Sequence, residues 1–230
     1  MPPTVRTRVS VIIAALNERE MIAGAIRSAW DAGAAEVLVA DGGSTDPTAS
    51  LAAQAGAVVI ACPPGRAHQQ NLAARSAHGD VLLFLHADAR LPAGALRSID
   101  EHPDAVFGGF RQRISAPGVG FRLLEWGNYQ RAKWLGLVYG DQAIFVARET
   151  FERVGGFPEL PLMEDYVLSQ TLRREAWPRM LPGPVTTSPR RWLRFGILRQ
   201  TWRNWWIILR FHLGVSPERL AKSYRRHDQV

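Results

Sequence analysis

Four short apolar runs separated by helical stretches constrain the fold of this chain more than any other feature. Strands are expected at residues 9–14, 36–40, 57–61 and 81–86. Helices are expected at about residues 17–31, 46–56 and 67–78, the first capped by Asn17 with Glu20 and the second by Asp46 before Pro47. Because nearly continuous apolar strands that alternate with helices are typical of a parallel sheet with helices on both faces, the sequence predicts an α/β fold.

Polar residues follow three of these predicted strands at the point where each strand ends. Asn17 and Glu18 follow the first strand, Asp41 the second and Asp88 the fourth. Parallel strands bring their carboxyl ends to one edge of the sheet, which is where ligands bind in open α/β folds. The sequence therefore predicts a site at this edge that carries several acids.

The second half of the chain has a less regular pattern. Strands are expected at residues 107–114 and 139–147, helices at 121–135 and 163–177, and a helical tail at 193–224 with a break at 214–217. The pattern contains no internal repeat, low-complexity segment or linker. The 230 residues, 47% of them hydrophobic, are therefore expected to form one domain with a C-terminal helical appendage.

Cysteine content and hydropathy indicate the compartment. The single cysteine, Cys62, excludes a disulfide within the chain, is typical of a reducing cytoplasm and is expected to be an inert thiol. The sequence has no stretch of about 18 uncharged apolar residues, so it predicts no transmembrane helix. Its net charge of +7 permits partners that carry phosphate or anionic lipid.

Three segments offer chemistry, and each also has a purely structural interpretation. The glycines of residues 41–46, which include Gly43, would either let a ligand approach the backbone closely or only allow a tight turn between strand and helix. Arg66 begins a helix after a Pro-Pro-Gly segment, where it would either bind a phosphate group or be an ordinary surface arginine. Glu164 and Asp165 begin another helix; Asp165 would take a proton from a hydroxyl, or the pair would only be solvated beside the helix dipole.

Asp88 ends the segment Leu85-His86-Ala87-Asp88. A carboxylate in this position suits Mg²⁺ or Mn²⁺, whose remaining ligands are water and diphosphate oxygens, although an aspartate after a strand also serves as a turn former or cap. The glycine patterns of dehydrogenases and kinases do not follow the first strand, and the six histidines show no close zinc-ligand pattern.

Together these segments resemble glycosyltransferase family 2, which has the GT-A fold. The resemblance covers about residues 9–165 and rests on five motifs in order: Ala15-Leu16-Asn17-Glu18, Asp41-Gly42-Gly43-Ser44-Thr45-Asp46, the Asp88 triplet, Gly155-Gly156-Phe157 and Glu164-Asp165. The chain is most similar to a subgroup of the arsenosugar-biosynthesis type, which has the Leu85-His86-Ala87-Asp88 form and the Gly65-Arg66-Ala67 start. The resemblance implies an inverting, hexosyltransferase-like enzyme that uses a nucleotide-diphosphate sugar, with a UDP-sugar as the expected donor and an unspecified hydroxyl acceptor.

The resemblance also implies a role for each site residue. Donor or nucleotide binding falls to Leu16, Asn17, Glu18, Asp41, Gly43, Arg66, Asn71, His86, Ala87 and Asp88. Acceptor binding falls to Gly155, Gly156 and Phe157, and catalysis to the base Asp165 with Glu164 beside it. Arg190, Arg191 and Trp192 resemble an element that some members place over the donor diphosphate. On this basis residues 1–103 bind the donor, residues 104–190 supply the acceptor and catalytic half, and residues 191–230 form the helical tail.

His86 departs from the family pattern, because it stands where the first acid of the D-x-D triplet is expected. The resemblance implies that Asp88 holds Mg²⁺ or Mn²⁺. With one carboxylate lost, the metal would bind more weakly, use His86 as a second ligand, or depend on bound diphosphate.

The tail interleaves arginines with tryptophans. Its apolar residues recur on one helical stripe, at Leu198, Trp202, Trp205, Leu209 and Leu213. This stripe either packs on the domain, lies on an anionic membrane at the inner face as a peripheral helix, or forms a homodimer. Because the chain has no recognisable nucleic-acid-binding module, no nucleic-acid partner is expected.

Two other functions remain open at this stage. A sugar nucleotidyltransferase shares the strand-helix layout and the metal-binding acids, but usually has a basic, glycine-rich loop where this chain has Ala15-Leu16-Asn17-Glu18. A catalytically silent nucleotide-sugar- or lipid-binding protein is compatible with the His86 departure. Turnover of a donor separates that protein from an enzyme.

Overall fold

The computed structural model describes residues 7–225, and the strands within them form one sheet. The strands are Val9–Ala15 (β1), Glu36–Asp41 (β2), Val58–Ala61 (β3), Val81–Phe84 (β4), Ala89–Arg90 (β5), Phe107–Ile114 (β6), Phe145–Ala147 (β7) and Arg179–Thr187 (β8). Their order across the sheet is β3-β2-β1-β4-β7-β6-β8-β5. The first four strands are parallel to one another, and β7 is antiparallel to both β4 and β6. The predicted α/β fold with a mostly parallel sheet is confirmed.

Helices cover both faces of this sheet. They are Ile22–Ala32 (α1), Thr48–Gln54 (α2), Arg66–Ser76 (α3), Arg97–Asp100 (α4), Val119–Leu135 (α5), Arg148–Arg153 (α6), Glu164–Glu175 (α7), Arg190–Phe195 (α8), Ile197–His212 (α9) and Pro217–Arg225 (α10). Side chains of β1 alternate between the two faces: Val11 and Ile13 pack with α1 and α2, whereas Ile12 packs with α3 and α7. This double burial explains why the strand is a continuous apolar run.

The capping prediction for the first helix was wrong. Helix α1 begins at Ile22, and Asn17 lies five residues earlier with a left-handed backbone, φ 54°. The Asn17 side chain instead accepts a hydrogen bond from the Thr45 N–H at 2.9 Å. Asparagine competes well for such loop bonds, so a contact with the neighbouring loop prevails over the local cap.

Two further differences lie in the second half. A 3₁₀ turn at Gly140–Gln142 interrupts the predicted strand at residues 139–147, and only β7 pairs with its neighbours. Strand β8 was not predicted. It contains Pro182, Gly183 and Pro184 and pairs with β6 across a register shift, features that argue against a strand when the sequence is read alone.

The C-terminal tail is helical, as predicted, and breaks between α9 and α10. A second break at Gly196, φ 81°, separates α8 from α9. Helix α10 packs back on the domain, where Leu220 is fully buried beside Tyr166 and Ile207. None of the helices among residues 7–225 is long and apolar enough to cross a membrane.

Candidate active site

The floor of the site is the edge of the sheet where β1 and β2 end side by side. Ala15 pairs with Asp41 in the parallel register. The buried side chain of Gln69, from α3, donates from its Nε2 to the carbonyl oxygens of Ala15 at 2.9 Å and Ala40 at 2.8 Å. Gln69 thereby fixes both strand ends, a role that no local sequence pattern indicates.

Backbone N–H groups tie the loop after β1 to the loop after β2. The Asn17 N–H donates to Ser44 Oγ at 2.9 Å, and the Glu18 N–H donates to Thr48 Oγ1 at 2.8 Å. The Asn17 side chain accepts from Thr45, as described above. Asn17 therefore supports the floor through its backbone and its side chain, whereas the preceding Leu16 is exposed at the surface.

The Asp41 carboxylate is turned into its own loop. It accepts hydrogen bonds from the N–H groups of Gly43 at 3.2 Å and Ser44 at 3.0 Å, and from the Ser44 hydroxyl at 2.5 Å. Gly43 has φ 82°, a left-handed conformation that glycine adopts without strain. Asp41 therefore shapes its own loop through three hydrogen bonds.

An open cavity of about 330 Å³ lies above this floor. Its volume is within the range of small-ligand sites. The guanidinium of Arg190, from α8, lies between two acids: its Nη2 is 3.1 Å from Glu18 Oε2 and 3.4 Å from Asp88 Oδ2. The lining residues are Asn17, Glu18, Arg19, Glu20, Asp46 and Arg190.

The electrostatics of this cavity depend on Arg190. Burial raises the pKa of Glu18, and Asp88 adds to this effect, although Arg190 opposes it. Of the three residues predicted to contact diphosphate, only Arg190 lines the cavity. Arg191 donates from Nη1 to the Tyr224 hydroxyl at 2.9 Å, and the buried Trp192 Nε1 has no hydrogen-bond partner among the described residues.

Of the two residues predicted to hold a metal, His86 contacts the 3₁₀ turn at Gly140 and Asp88 contacts Arg190. The ring of His86 packs against Gly140, so close that a Cβ at Gly140 would lie 2.5 Å from His86 Nε2. Burial and Arg66 lower the pKa of His86. The described residues contain no group of three or more His, Cys, Asp or Glu side chains placed for a metal ion, and Ala87 is buried in the core. The Asp88 carboxylate is partly exposed and lies beside Arg190, which lines the cavity.

Asp165 lies in the first turn of α7 and is partly buried. Its Oδ2 accepts from the Gly140 N–H at 3.0 Å, and its Oδ1 accepts from the Tyr166 N–H at 2.7 Å. Burial alone would raise the pKa of Asp165, but Arg66 and these backbone bonds outweigh it and lower the pKa below its usual value. The side chain is therefore a carboxylate at neutral pH, as a proton acceptor must be.

Glu164 and Arg66 bind each other. Arg66 Nε, at the start of α3, forms an ion pair with Glu164 Oε1, at the start of α7. Burial raises the pKa of Glu164, and Arg66 partly offsets that rise. Since the Glu164 carboxylate is buried and occupied, it positions Arg66 and does not itself face the cavity.

Asn71 and Phe157 also bind each other. Asn71 Nδ2 donates to the Phe157 carbonyl at 2.8 Å, and the Phe157 N–H donates to Asn71 Oδ1 at 2.9 Å. The Phe157 ring is buried against Phe84 and Phe151. The structure thus places both side chains in the scaffold, where they join α3 to the turn before α7.

Gly155 and Gly156 form that turn in left-handed conformations, φ 84° and 75°. With Asn71 they help line a second cavity of about 270 Å³. Asp165 does not line it, so the structure does not bring these glycines together with the predicted base.

Asp141 was not singled out from the sequence, although it lies in the same cluster as His86 and Asp165. Its Oδ2 accepts from Gln112 Nε2 at 3.0 Å, and its buried Oδ1 has no partner among the described residues. Burial raises the pKa of Asp141, and Arg131 and His86 only partly oppose that rise. The available signal was the polar Gly140-Asp141-Gln142 triplet, which interrupts the apolar run from which a strand was predicted.

The close contact at Gly140 leads to a stability prediction. Gly140→Ala forces His86 or the 3₁₀ turn to shift, so we expect it to lower the free energy of unfolding by about 1–3 kcal/mol. Gly127→Ala is the matched control, because a Cβ there meets nothing within 4 Å inside α5. That change should raise stability by about 0.5–1 kcal/mol. Urea unfolding of both variants measures the difference, and equal effects would contradict the packing described for His86.

Comparison with known proteins agrees with this fold. The sequence model of glycosyl transferase family 2 matches residues 10–153. No curated protein sequence matches the chain. S. aureus TarS (residues 1–349) is 19% identical with a TM-score of 0.61, over 79% of this chain and 61% of that one.

Two other solved structures have similar scores. A mannosyltransferase from Pyrobaculum calidifontis, in complex with GDP-Man and Mn²⁺, is 25% identical with a TM-score of 0.59, over 81% of this chain and 57% of that one. Glucosyl-3-phosphoglycerate synthase from Mycobacterium tuberculosis, in complex with Mn²⁺, UDP and its product, is 20% identical with a TM-score of 0.55, over 79% of this chain and 70% of that one. The chain spans less than two thirds of the length of TarS and of the mannosyltransferase.

Proposed function

The chain belongs to glycosyl transferase family 2, and we propose that it transfers a sugar from a nucleotide-diphosphate donor to an acceptor hydroxyl, with inversion at the anomeric carbon and with help from Mg²⁺ or Mn²⁺. The observation that carries the proposal is the arrangement of Arg190, Glu18 and Asp88 at the cavity. A guanidinium paired with two carboxylates can exchange them for diphosphate oxygens, which it also binds by charge-assisted hydrogen bonds.

The donor class is supported by what the similar proteins bind. The mannosyltransferase is described with GDP-Man and Mn²⁺, and TarS with UDP-GlcNAc. For this chain a UDP-sugar is the proposed donor. Asp88 would hold the divalent cation together with diphosphate oxygens, because such ions commonly use one or two carboxylates and complete their shell with phosphate and water. Once bound, the ion neutralises charge on the leaving diphosphate.

The proposed reaction is a single displacement. The acceptor oxygen attacks the anomeric carbon from the face opposite the diphosphate, the bond from that carbon to the diphosphate breaks, and its electron pair leaves with the diphosphate. Asp165 takes the proton from the acceptor hydroxyl, and its lowered pKa keeps it in the deprotonated form that this step requires. Arg190 binds the departing charge. One displacement inverts the configuration, so no covalent enzyme intermediate is required.

Several finer assignments belong to the same proposal. We assign residues up to about 103 to donor binding and residues of about 104–190 to the acceptor and catalytic half. The Leu85-His86-Ala87-Asp88 and Gly65-Arg66-Ala67 segments support a place in the arsenosugar-type subgroup. The single cysteine supports a cytoplasmic location.

Thermal unfolding with UDP, GDP, CDP and dTDP, each with and without Mn²⁺, tests the donor site. A ligand at 100 times its dissociation constant stabilises the folded state by about 2.7 kcal/mol, which raises the midpoint by roughly 5–10 °C for a chain of this size. We expect one nucleotide to give a shift that depends on Mn²⁺. The monophosphate of the same base is the control, because it lacks the second phosphate and should give a much smaller shift.

The other outcomes contradict the proposal. If no nucleotide shifts the midpoint, the donor site is wrong. If a nucleotide-sugar binds but is never turned over, even with acceptors supplied, the chain is a silent nucleotide-sugar-binding protein.

A further inference from the structure

Two helices carry exposed apolar stripes. On α9 the stripe is Leu198, Trp202, Trp205 and Leu209, followed by Leu213; on α5 it is Val119, Leu123, Trp126 and Trp134. These side chains are between 47% and 86% exposed. Residues spaced four, seven and eleven apart lie on one side of a helix. Each helix therefore presents an apolar side to solvent.

The two stripes belong to neighbouring elements. A Cβ at Gly120 would lie 3.0 Å from Ile197 Cδ1, so the first turns of α5 and α9 are in contact. With 17 and 16 residues, each helix is roughly 25 Å long. We call the two stripes together the α5–α9 surface. An exposed apolar surface of this extent on a folded protein marks a contact with a partner.

The charge around this surface selects the partner. Helix α9 carries Arg199, Arg203 and Arg210 and no Asp or Glu, and the one acid of α5, Glu125, is paired with Arg122. In a symmetric dimer the same patch meets itself, so the arginines of α9 would face the α9 arginines of the second copy. Helix α9 has no acid that could pair with them. Tryptophan and arginine together are instead typical of helices at a lipid–water interface.

We propose that the α5–α9 surface docks on an anionic phospholipid bilayer, with the tryptophans in the headgroup region and the arginines at the lipid phosphates. The sequence indicated only the helical tail as a possible membrane-binding element, whereas the structure adds helix α5 as the other half of the surface. The surface is connected to the candidate site, because His212 of α9 is hydrogen-bonded through Nε2 to the Tyr166 hydroxyl at 2.6 Å, next to Asp165. The proposal does not depend on the transferase activity.

Vesicle flotation of the full chain tests the docking surface. We expect the protein to float with vesicles of phosphatidylcholine mixed with phosphatidylglycerol, to stay unbound with pure phosphatidylcholine, and to dissociate as salt is raised. Trp126→Glu and Trp205→Glu should each lower the partition coefficient by roughly ten-fold or more, because each removes an inserted ring and adds a negative charge. Val58→Glu is the matched control, since Val58 is an exposed apolar residue on β3, at the opposite edge of the sheet from β5 and β8, and should bind like the unmodified chain.

A milder variant keeps the test valid if a tryptophan variant unfolds. Arg199→Ala changes one exposed side chain and should weaken binding by about five-fold. Equal binding to neutral and anionic vesicles, or no binding, would overturn the proposal. Normal binding by Trp126→Glu would remove α5 from the surface. A lipid-free dimer that Trp205→Glu dissociates, seen by light scattering, would make the surface a self-association interface instead.

Discussion

Asp165→Asn is expected to lower the rate of donor turnover by roughly 10²–10⁴-fold and to change the dissociation constant for the nucleotide diphosphate very little. The substitution keeps the size and shape of the side chain and leaves an oxygen that can accept from the Gly140 N–H. It removes the negative charge that would take the acceptor proton. The turnover rate is measured as release of nucleotide diphosphate from the nucleotide-sugar in the presence of Mn²⁺, and it is separated into kcat and KM. A binding titration gives the dissociation constant.

Glu164→Gln is the control for this prediction. Glu164 precedes Asp165 and binds Arg66, so its loss removes a buried partner of the guanidinium and costs about 1–3 kcal/mol of stability. The base stays in place, and the rate should fall much less than in Asp165→Asn. A rate within ten-fold of the unmodified chain for Asp165→Asn, or a parallel loss of donor affinity and rate, would show that Asp165 is not the base.

The pH profile gives an independent check of the same assignment. A base must be deprotonated, so activity is lost as pH falls through its pKa. Because the pKa of Asp165 is held below the usual aspartate value, this group should produce no loss of activity between about pH 5 and 8. The lowered pKa of Asp165 would be contradicted if kcat falls as the pH is lowered within that window and if this fall is absent in Asp165→Glu.

The sequence was sufficient to predict the first half of the fold, because each signal there is local. Strands β1, β2 and β4 are buried on both faces, so their apolar runs are continuous and end where polar loops begin. The parallel order then places those ends together without further information. Strand β8 gave no such signal, because its two prolines and a glycine look like a loop until β6 and β5 are seen beside it.

The sequence indicated candidate site residues, but it did not indicate which side chains they contact. Arg66 and Glu164 are 98 residues apart, and Asn71 and Phe157 are 86 apart. Arg66 and Asn71 were predicted to bind the donor, Glu164 to act in catalysis and Phe157 to bind the acceptor, because the family resemblance implied these roles. In the folded chain these groups satisfy each other, since a buried polar atom without a partner is costly. Arg190 shows the converse: only the fold brings it between Glu18 and Asp88.

The different contacts of His86 with Gly140 and of Asp88 with Arg190 lead to the second large effect, which concerns the metal. We expect Asp88→Asn to abolish the Mn²⁺-dependent part of the nucleotide-induced thermal shift and to lower donor turnover by roughly 10²–10³-fold, because the cation that Asp88 would hold stabilises the charge developing on the diphosphate. Stability should change by less than about 0.5 kcal/mol, because Asp88 is partly exposed and Arg190 keeps Glu18 as its partner. Thermal unfolding and turnover at several Mn²⁺ concentrations measure these effects.

Glu20→Gln and His86→Asn make this last prediction specific. Glu20 is exposed and lines the cavity, and Glu20→Gln removes one negative charge, as Asp88→Asn does. The Glu20→Gln variant should retain the Mn²⁺ dependence if Asp88 is a ligand. It should lose that dependence if only the overall negative potential of the site matters. His86 faces Gly140, so His86→Asn should also retain the Mn²⁺ dependence, even if its turnover falls because the cluster around Asp165 is disturbed. Loss of Mn²⁺ dependence in His86→Asn but not in Asp88→Asn would move the metal to the histidine.

One carboxylate is enough for the ion only when diphosphate oxygens complete its shell, so Mn²⁺ alone should leave the midpoint of the unmodified chain unchanged.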